Sequence, residues 1–118
     1  AALEILELNG NHLAELPHEF GGLVSLRKCE LSANRLSELP ESFGELASLQ
    51  ELSLSENSIT VLPHSIGGLL SLRRLELKRN RLTALPDSIN KLTSLEKLEL
   101  HGNRALVEVP QAPAGGSG

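Results

Sequence analysis

A unit of 23 residues recurs along the chain, and this periodicity limits the folds that the chain can adopt. Leucines mark the start of five successive copies, at Leu3, Leu26, Leu49, Leu72 and Leu95. From each start runs the pattern L-x-x-L-x-L-x-x-N-x-L, with single replacements in some copies. A unit this short cannot bury its own leucines, so the copies must stack side by side and share one continuous core.

The first half of each copy predicts a short strand. In the L-x-L pattern the apolar residues alternate, as a strand with one buried face requires. In the first copy, Leu6 and Leu8 should therefore point inward, while Ile5 and Glu7 point outward. The asparagine that follows stands where the chain must turn, and its amide can bond unpaired backbone groups. Stacking predicts a polar ladder of Asn11, Asn34, Asn57, Asn80 and Asn103.

The second half of the first four copies predicts the return segment on the convex side. It reads LPHEFGGLVSL, LPESFGELASL, LPHSIGGLLSL and LPDSINKLTSL. Proline fixes φ and lacks a donor, which suits the start of such a segment, and the Phe or Ile three residues later should pack inward. The next residue, Gly21 in the first copy and Asn90 in the fourth, should take left-handed backbone angles, as should Gly44 and Gly67.

Residues 3 to about 110 resemble the 23-residue leucine-rich repeats with an LPxxIGxLxSL second half. This form is found in cytosolic Ras-group leucine-rich-repeat proteins, in plant intracellular proteins and in bacterial counterparts. The resemblance implies an α/β leucine-rich-repeat solenoid of about five repeats, wound as a right-handed superhelix. Its parallel sheet would line the concave side, and its convex side would be irregular or short-helical. It also implies a protein–protein interaction module.

The domain is expected to span residues 1–110, as part of a longer array, with a flexible tail or linker at 111–118. The last copy departs from the pattern in NRALVEVP, where one residue is inserted and Val109 replaces leucine. Neither end carries a recognisable cap, although solenoids usually need polar terminal repeats for solubility. Self-association through the uncapped ends is therefore one open alternative.

The outward strand positions form the candidate binding surface, because solenoids bind on their concave sheet. Basic residues crowd the last two copies, so the surface is expected to be zoned by charge. An alternative is that these charges pair across strands and only keep the sheet soluble. The candidate residues are Glu7, Lys28, Glu30, Glu51, Ser53, Arg74, Glu76, Lys78, Arg79, Lys97, Glu99 and His101.

Composition narrows the classes of function. A net charge of −4 and only 2% aromatic residues argue against a nucleic-acid partner. No apolar run approaches the roughly 20 residues of a membrane-spanning helix. Cys29 stands where other copies have leucine and should be a buried apolar residue. His18 and His64 lie two copies apart, which is too far for them to share a metal ion.

The sequence thus predicts a non-catalytic scaffold that binds a protein or peptide and holds no cofactor or metal. No nucleophile, zinc-protease or phosphate-loop motif occurs in the chain. The lone cysteine favours a cytoplasmic location. Two alternatives remain open, namely the substrate-recognition fragment of a larger enzyme, such as a ligase or kinase, and a self-associating structural unit.

Overall fold

The computed structural model describes residues 3–106, so Val109 and the predicted tail at 111–118 lie outside the described residues. Each copy contributes one three-residue strand, and all five join a single parallel sheet in chain order. The register advances by one copy per strand, so that Leu6, Cys29, Leu52, Leu75 and Leu98 are neighbours. The strands are Ile5–Glu7 (β1), Lys28–Glu30 (β2), Glu51–Ser53 (β3), Arg74–Glu76 (β4) and Lys97–Glu99 (β5).

Short 3-10 helices form the opposite side of the solenoid. Each follows a proline in extended backbone, as Pro17 does with φ −70° and ψ 156°. The Pro17 carbonyl oxygen accepts a hydrogen bond from the Phe20 N–H at 3.0 Å, which closes the first turn. This confirms the predicted solenoid with a short-helical convex side. The four helices are His18–Gly22, Glu41–Glu45, His64–Gly68 and Asp87–Lys91.

One continuous core lies between the sheet and these helices. Inward strand residues such as Leu52 and Leu75 are buried completely or nearly so, as are Phe43 and Ile66 from the return segments. The rings of Phe20 and Phe43 stack with their centroids 5.5 Å apart. Leu6 and Leu8, in contrast, are only half-buried, because β1 has a neighbouring strand on one side alone within residues 3–106.

The asparagine ladder is confirmed. The Asn57 amide nitrogen donates to the carbonyl oxygens of Leu54 at 3.0 Å, in its own copy, and of Leu31 at 2.9 Å, in the preceding copy. Its side-chain oxygen accepts the Leu36 backbone N–H at 3.0 Å. Each buried ladder asparagine therefore ties its own turn to the turn before it. Asn11, at the start of the ladder, is exposed.

The predicted left-handed angles at Gly21, Gly44, Gly67 and Asn90 were wrong. Within residues 3–106, positive φ occurs at His12 and at the residue before each ladder asparagine. The latter positions are Gly10, Ala33, Glu56, Arg79 and Gly102.

The convex positions of Gly21 and Gly44 need glycine because a Cβ there would collide with the next copy. A Cβ added to Gly21 would overlap the backbone carbonyl of Ser42 in the next copy, and one added to Gly44 would overlap that of Ser65. The Ser42 hydroxyl also accepts the Gly21 N–H at 3.1 Å and donates to the His18 carbonyl at 2.6 Å. Glycine thus lets successive convex turns approach closely enough for this serine to join them.

Gly21→Ala is therefore expected to destabilise the fold by about 1–3 kcal/mol, because the added methyl group must push the second copy away from the first. The control is Gly22→Ala, where a Cβ meets nothing within 4 Å. Urea unfolding of the two variants measures the difference. Equal stabilities would contradict the role given to the close approach.

Candidate partner-binding face

The five strands present two outward columns of side chains, here called the concave strip. Because side chains alternate along a strand, the residues that flank each buried central residue face outward together. The strand register places the residues of each column side by side, as the sequence predicted. The first column is Ile5, Lys28, Glu51, Arg74 and Lys97, and the second is Glu7, Glu30, Ser53, Glu76 and Glu99.

Three predicted site residues lie beyond the strands. Lys78 is half-buried and reaches the concave strip, where its ammonium lies 3.6 Å from a carboxylate oxygen of Glu99. Arg79, at positive φ, pairs instead with Glu56 at 3.1 Å. His101 is exposed. The Lys78 side chain therefore belongs to the concave strip. Arg79 instead forms an ion pair with Glu56, in the turn after β3.

Several charges of the concave strip are paired within the protein. The ammonium of Lys28 lies 3.2 Å from Glu30, and the hydrogen bond that it donates to this carboxylate, together with the carboxylate charge, raises the pKa of Lys28. The ammonium of Lys97 lies 3.3 Å from Glu99. Burial acts to raise the pKa of Glu99, but the hydrogen bond from Lys97 and the charge of Lys78 lower it overall. Flanking cations thus offset part of the acidic column, but these two pairs lie within one strand, and the predicted pairing between copies is made by Lys78 and Glu99.

A chain of polar contacts also crosses the N-terminal half of the strip. The Asn9 amide donates to Glu30 at 2.8 Å, and its oxygen accepts the Ser32 backbone N–H at 2.7 Å. The Ser32 hydroxyl contacts that of Ser53, which donates to Glu76 at 3.3 Å. Asn9 and Ser32 were not among the predicted site residues, and these bonds were not predicted. The sequence signal that could have indicated them is that Asn9 and Ser32 occupy the same position in successive copies.

Other charges on the strip have no such partner. In residues 3–106, Glu7, Glu51 and Arg74 form no side-chain hydrogen bond or ion pair, and all three are exposed. Glu51 and Arg74 are register partners in adjacent strands and help to line a recess of about 300 Å³. The recess is also lined by Lys28, Cys29, Glu30, Leu52, Ser53 and Glu76. It is therefore a charged surface in the middle of the sheet.

The thiol beneath this recess is not prepared for nucleophilic chemistry. Cys29 is fully buried in the core, as predicted. Burial raises its pKa to about 12, and the nearby charge of Glu30 acts in the same direction. The thiolate, which is the nucleophile, is therefore scarce at neutral pH.

The described residues contain neither a cluster of metal-ligating side chains nor a helix that could span a membrane. Between residues 3 and 106, no group of three or more His, Cys, Asp or Glu side chains is arranged to hold a metal ion. In that range, no helix is both long and apolar enough to cross a bilayer.

Comparison with known proteins places the chain in a family. Residues 1–109 match the family described as leucine-rich repeat region. The chain belongs to the leucine-rich-repeat proteins. Such domains are typically interaction modules rather than enzymes, although the cytosolic subtype expected from the sequence stays a prediction. None of the curated proteins matches the chain.

Two solved structures share the fold. A leucine-rich-repeat protein of Leptospira interrogans superposes with a TM-score of 0.80 at 42% identity, over 82% of this chain. The functional domain of InlJ from Listeria monocytogenes, which includes a cysteine ladder, superposes with a TM-score of 0.78 at 23% identity, over 90% of this chain. The chain spans 25% and 22% of their lengths. This chain has a single cysteine and cannot form a ladder of cysteines by itself.

We expect the thiol of Cys29 to resist a soluble disulfide reagent at mildly alkaline pH until the protein unfolds, because it is buried and protonated. Absorbance of the released thiol product measures the reaction, and urea should expose one thiol per chain. Glu51→Cys in a Cys29→Ala background is the control, since this position is exposed on the neighbouring strand. Equally fast labelling of both thiols in the folded state would contradict the buried placement.

Proposed function

We propose that the chain is a non-catalytic scaffold that binds a protein or peptide through its concave strip. The observation that carries this proposal is a set of exposed charges that have no ion partner among residues 3–106, namely Glu7, Glu51 and Arg74, on β1, β3 and β4 of one sheet. Repeat solenoids form extended concave surfaces that serve for binding. The membership of the chain in the leucine-rich-repeat family supports the same reading.

The physical argument is that the strip is preorganised. The strand backbone is fixed by the parallel ladder, and the inward residues Leu52 and Leu75 anchor the centre of the sheet in the core. A partner therefore need not order the backbone on binding, which lowers the entropic cost of association. Charges held in this way contribute more to specificity and to the association rate than to raw affinity.

Self-association is the second candidate function, and one observation favours it. Within residues 3–106, β1 is an edge strand, and Ile5 in this strand and Leu3 just before it are 50% and 44% exposed. Exposed strand edges with apolar neighbours tend to pair with other chains. Light scattering at several protein concentrations tests this alternative, and Ile5→Lys should abolish any association that uses this edge.

The proposal also includes the other expectations from the sequence, which concern the partner, cofactors and location. The partner is a protein or peptide, not nucleic acid or membrane, and no cofactor takes part. The alternative from the sequence is that the chain is the substrate-recognition fragment of a larger enzyme, such as a ligase or kinase. The proposed location is cytoplasmic, on the ground of the single buried cysteine, which has no partner for an intramolecular disulfide.

The double substitution Glu76→Lys with Lys78→Glu should weaken partner binding sharply while changing the stability by less than about 1 kcal/mol. It reverses local charges on the concave strip but leaves the core and the net charge unchanged. Affinity capture followed by a titration of the captured partner measures binding, and thermal unfolding measures stability.

The control reverses two convex charges, Glu41→Lys and Asp87→Lys, which lie at the starts of two 3-10 helices. These variants should bind the partner like the parent protein. Loss of binding in the convex variants together with full binding in the concave one would contradict the proposal.

A further inference from the structure

The C-terminal end of the concave strip carries more positive charge than the protein neutralises. Lys78 and Lys97 share one carboxylate, since their ammonium groups lie 3.6 Å and 3.3 Å from the two different oxygens of Glu99. Each ammonium has three N–H donors. One carboxylate therefore leaves donors unfilled on both lysines, and the three side chains together keep a charge of about +1.

Arg74 adds a second unneutralised cation at the same place. It is the register partner of Lys97, so two like charges stand side by side on strands about 4.8 Å apart. Like charges in such neighbouring positions repel each other. Within residues 3–106, the Arg74 guanidinium contacts no carboxylate, although the preceding Arg73 pairs with Glu96 at 3.2 Å.

The turns next to this end of the strip also carry positive charge. Arg81 and Arg104 occupy equivalent positions in the turns after β4 and β5, and both side chains are exposed. Neither forms an ion pair inside the range of residues described by the structure. The field at this end of the strip therefore attracts anionic groups, although Glu51 stands beside Arg74, while exposed Glu7 lies at the other end of the strip on β1.

We infer that Arg74, Lys78 and Lys97, here called the cationic subsite, receive the carboxylate side chains of an acidic segment of the partner. This inference rests on the proposed function and specifies the chemistry of the partner. An incoming carboxylate relieves the repulsion between Arg74 and Lys97 and fills the unused donors of the lysines. Arginine can bind it in bidentate geometry, whereas lysine acts as a point charge.

An acidic protein segment fits this surface better than a nucleic acid does. Glu51, Glu76 and Glu99 lie on and beside the cationic subsite and would repel a phosphate backbone that runs across the strands. Stacking surfaces are also lacking, because the chain has only two aromatic residues, Phe20 and Phe43, and both are buried. A short segment with a few carboxylates can contact the cations and avoid the glutamates.

The test compares peptides of equal length by fluorescence anisotropy. The probes are a labelled Glu-Ser repeat peptide, the corresponding Lys-Ser and Gln-Ser peptides, and a single-stranded oligonucleotide. We expect the acidic peptide to bind most tightly and to weaken as salt rises, because exposed charges are screened. Binding of the Lys-Ser or Gln-Ser peptide equal to that of the acidic one would overturn the inference, and so would preferred binding of the oligonucleotide.

Two neighbouring arginines provide a matched pair of variants. Arg74→Gln and Arg73→Gln change the net charge equally, but only Arg74 belongs to the cationic subsite. Arg74→Gln should weaken the acidic peptide about threefold to fivefold, whereas Arg73→Gln should have almost no effect. Equal effects of the two variants would show that only the net charge matters and would overturn the inference.

Removal of the carboxylate that Lys78 and Lys97 share should have the opposite effect on the affinity for the acidic peptide. Glu99→Gln should strengthen acidic-peptide binding about threefold or more, because it frees Lys78 and Lys97 from their internal partner. Glu96→Gln, which frees Arg73 outside the subsite, is the control. An unchanged or weakened affinity in Glu99→Gln would contradict the subsite. The proposed function has its own test, since the concave reversal can abolish partner binding even where no acidic peptide binds.

Discussion

The bonds of the asparagine side chains between neighbouring copies are the constraint on which the rest of the structure depends. At the end of each strand the backbone must turn into the core, where its N–H and C=O groups are hidden from water. A buried polar group without a partner costs about 1–3 kcal/mol. One amide satisfies groups of two copies at once, as Asn80 does with the carbonyls of Leu54 at 2.8 Å and Leu77 at 3.3 Å. The turns are therefore held in a common position relative to one another.

The binding surface follows from this common position. Once every turn is placed alike, each strand starts at the same point of its copy, and equivalent side chains stand in columns across the sheet. A column position can then change its charge without a change in the core, because the leucines on either side carry the packing. In this chain, charges around Glu30 and Glu99 are paired, whereas Glu51 and Arg74 have no ion partner among residues 3–106.

The periodic features could be predicted from the sequence. The strands, their register, the asparagine ladder and the burial of Cys29 all follow from spacing, because each depends only on the position of a residue within its copy. The members of the two columns were predicted for the same reason. The structure adds that Lys78, which lies beyond β4, reaches into the strip.

Features that depend on contacts between copies were harder to predict. Gly21 suggested a left-handed angle, whereas its actual constraint is the carbonyl of Ser42 in the next copy, which the sequence does not place. The ion pairs of Lys78 and Arg79 likewise depend on how far each side chain reaches across the sheet. The candidate site depends on which charged side chains have an ion partner and which do not. The repeat spacing alone does not predict this.

The most direct test of this account is the isosteric substitution Asn57→Asp, followed by chemical unfolding at several pH values. The new group keeps an acceptor for the Leu36 N–H but loses the donors to the carbonyls of Leu31, Leu54 and Ser55. A buried carboxylate beside these oxygens should cost about 3 kcal/mol or more near neutral pH. Burial favours the protonated form, which can donate once, so the deficit relative to the parent should shrink toward about pH 4.

Asn11→Asp, at the exposed start of the ladder, is the control and should change the stability by less than about 0.5 kcal/mol at either pH. A large, pH-dependent loss at position 57 and almost none at position 11 is the result that this account predicts. Equal losses at the two positions, or a deficit at position 57 that does not shrink in acid, would contradict the claim that the amide ladder holds the copies in register.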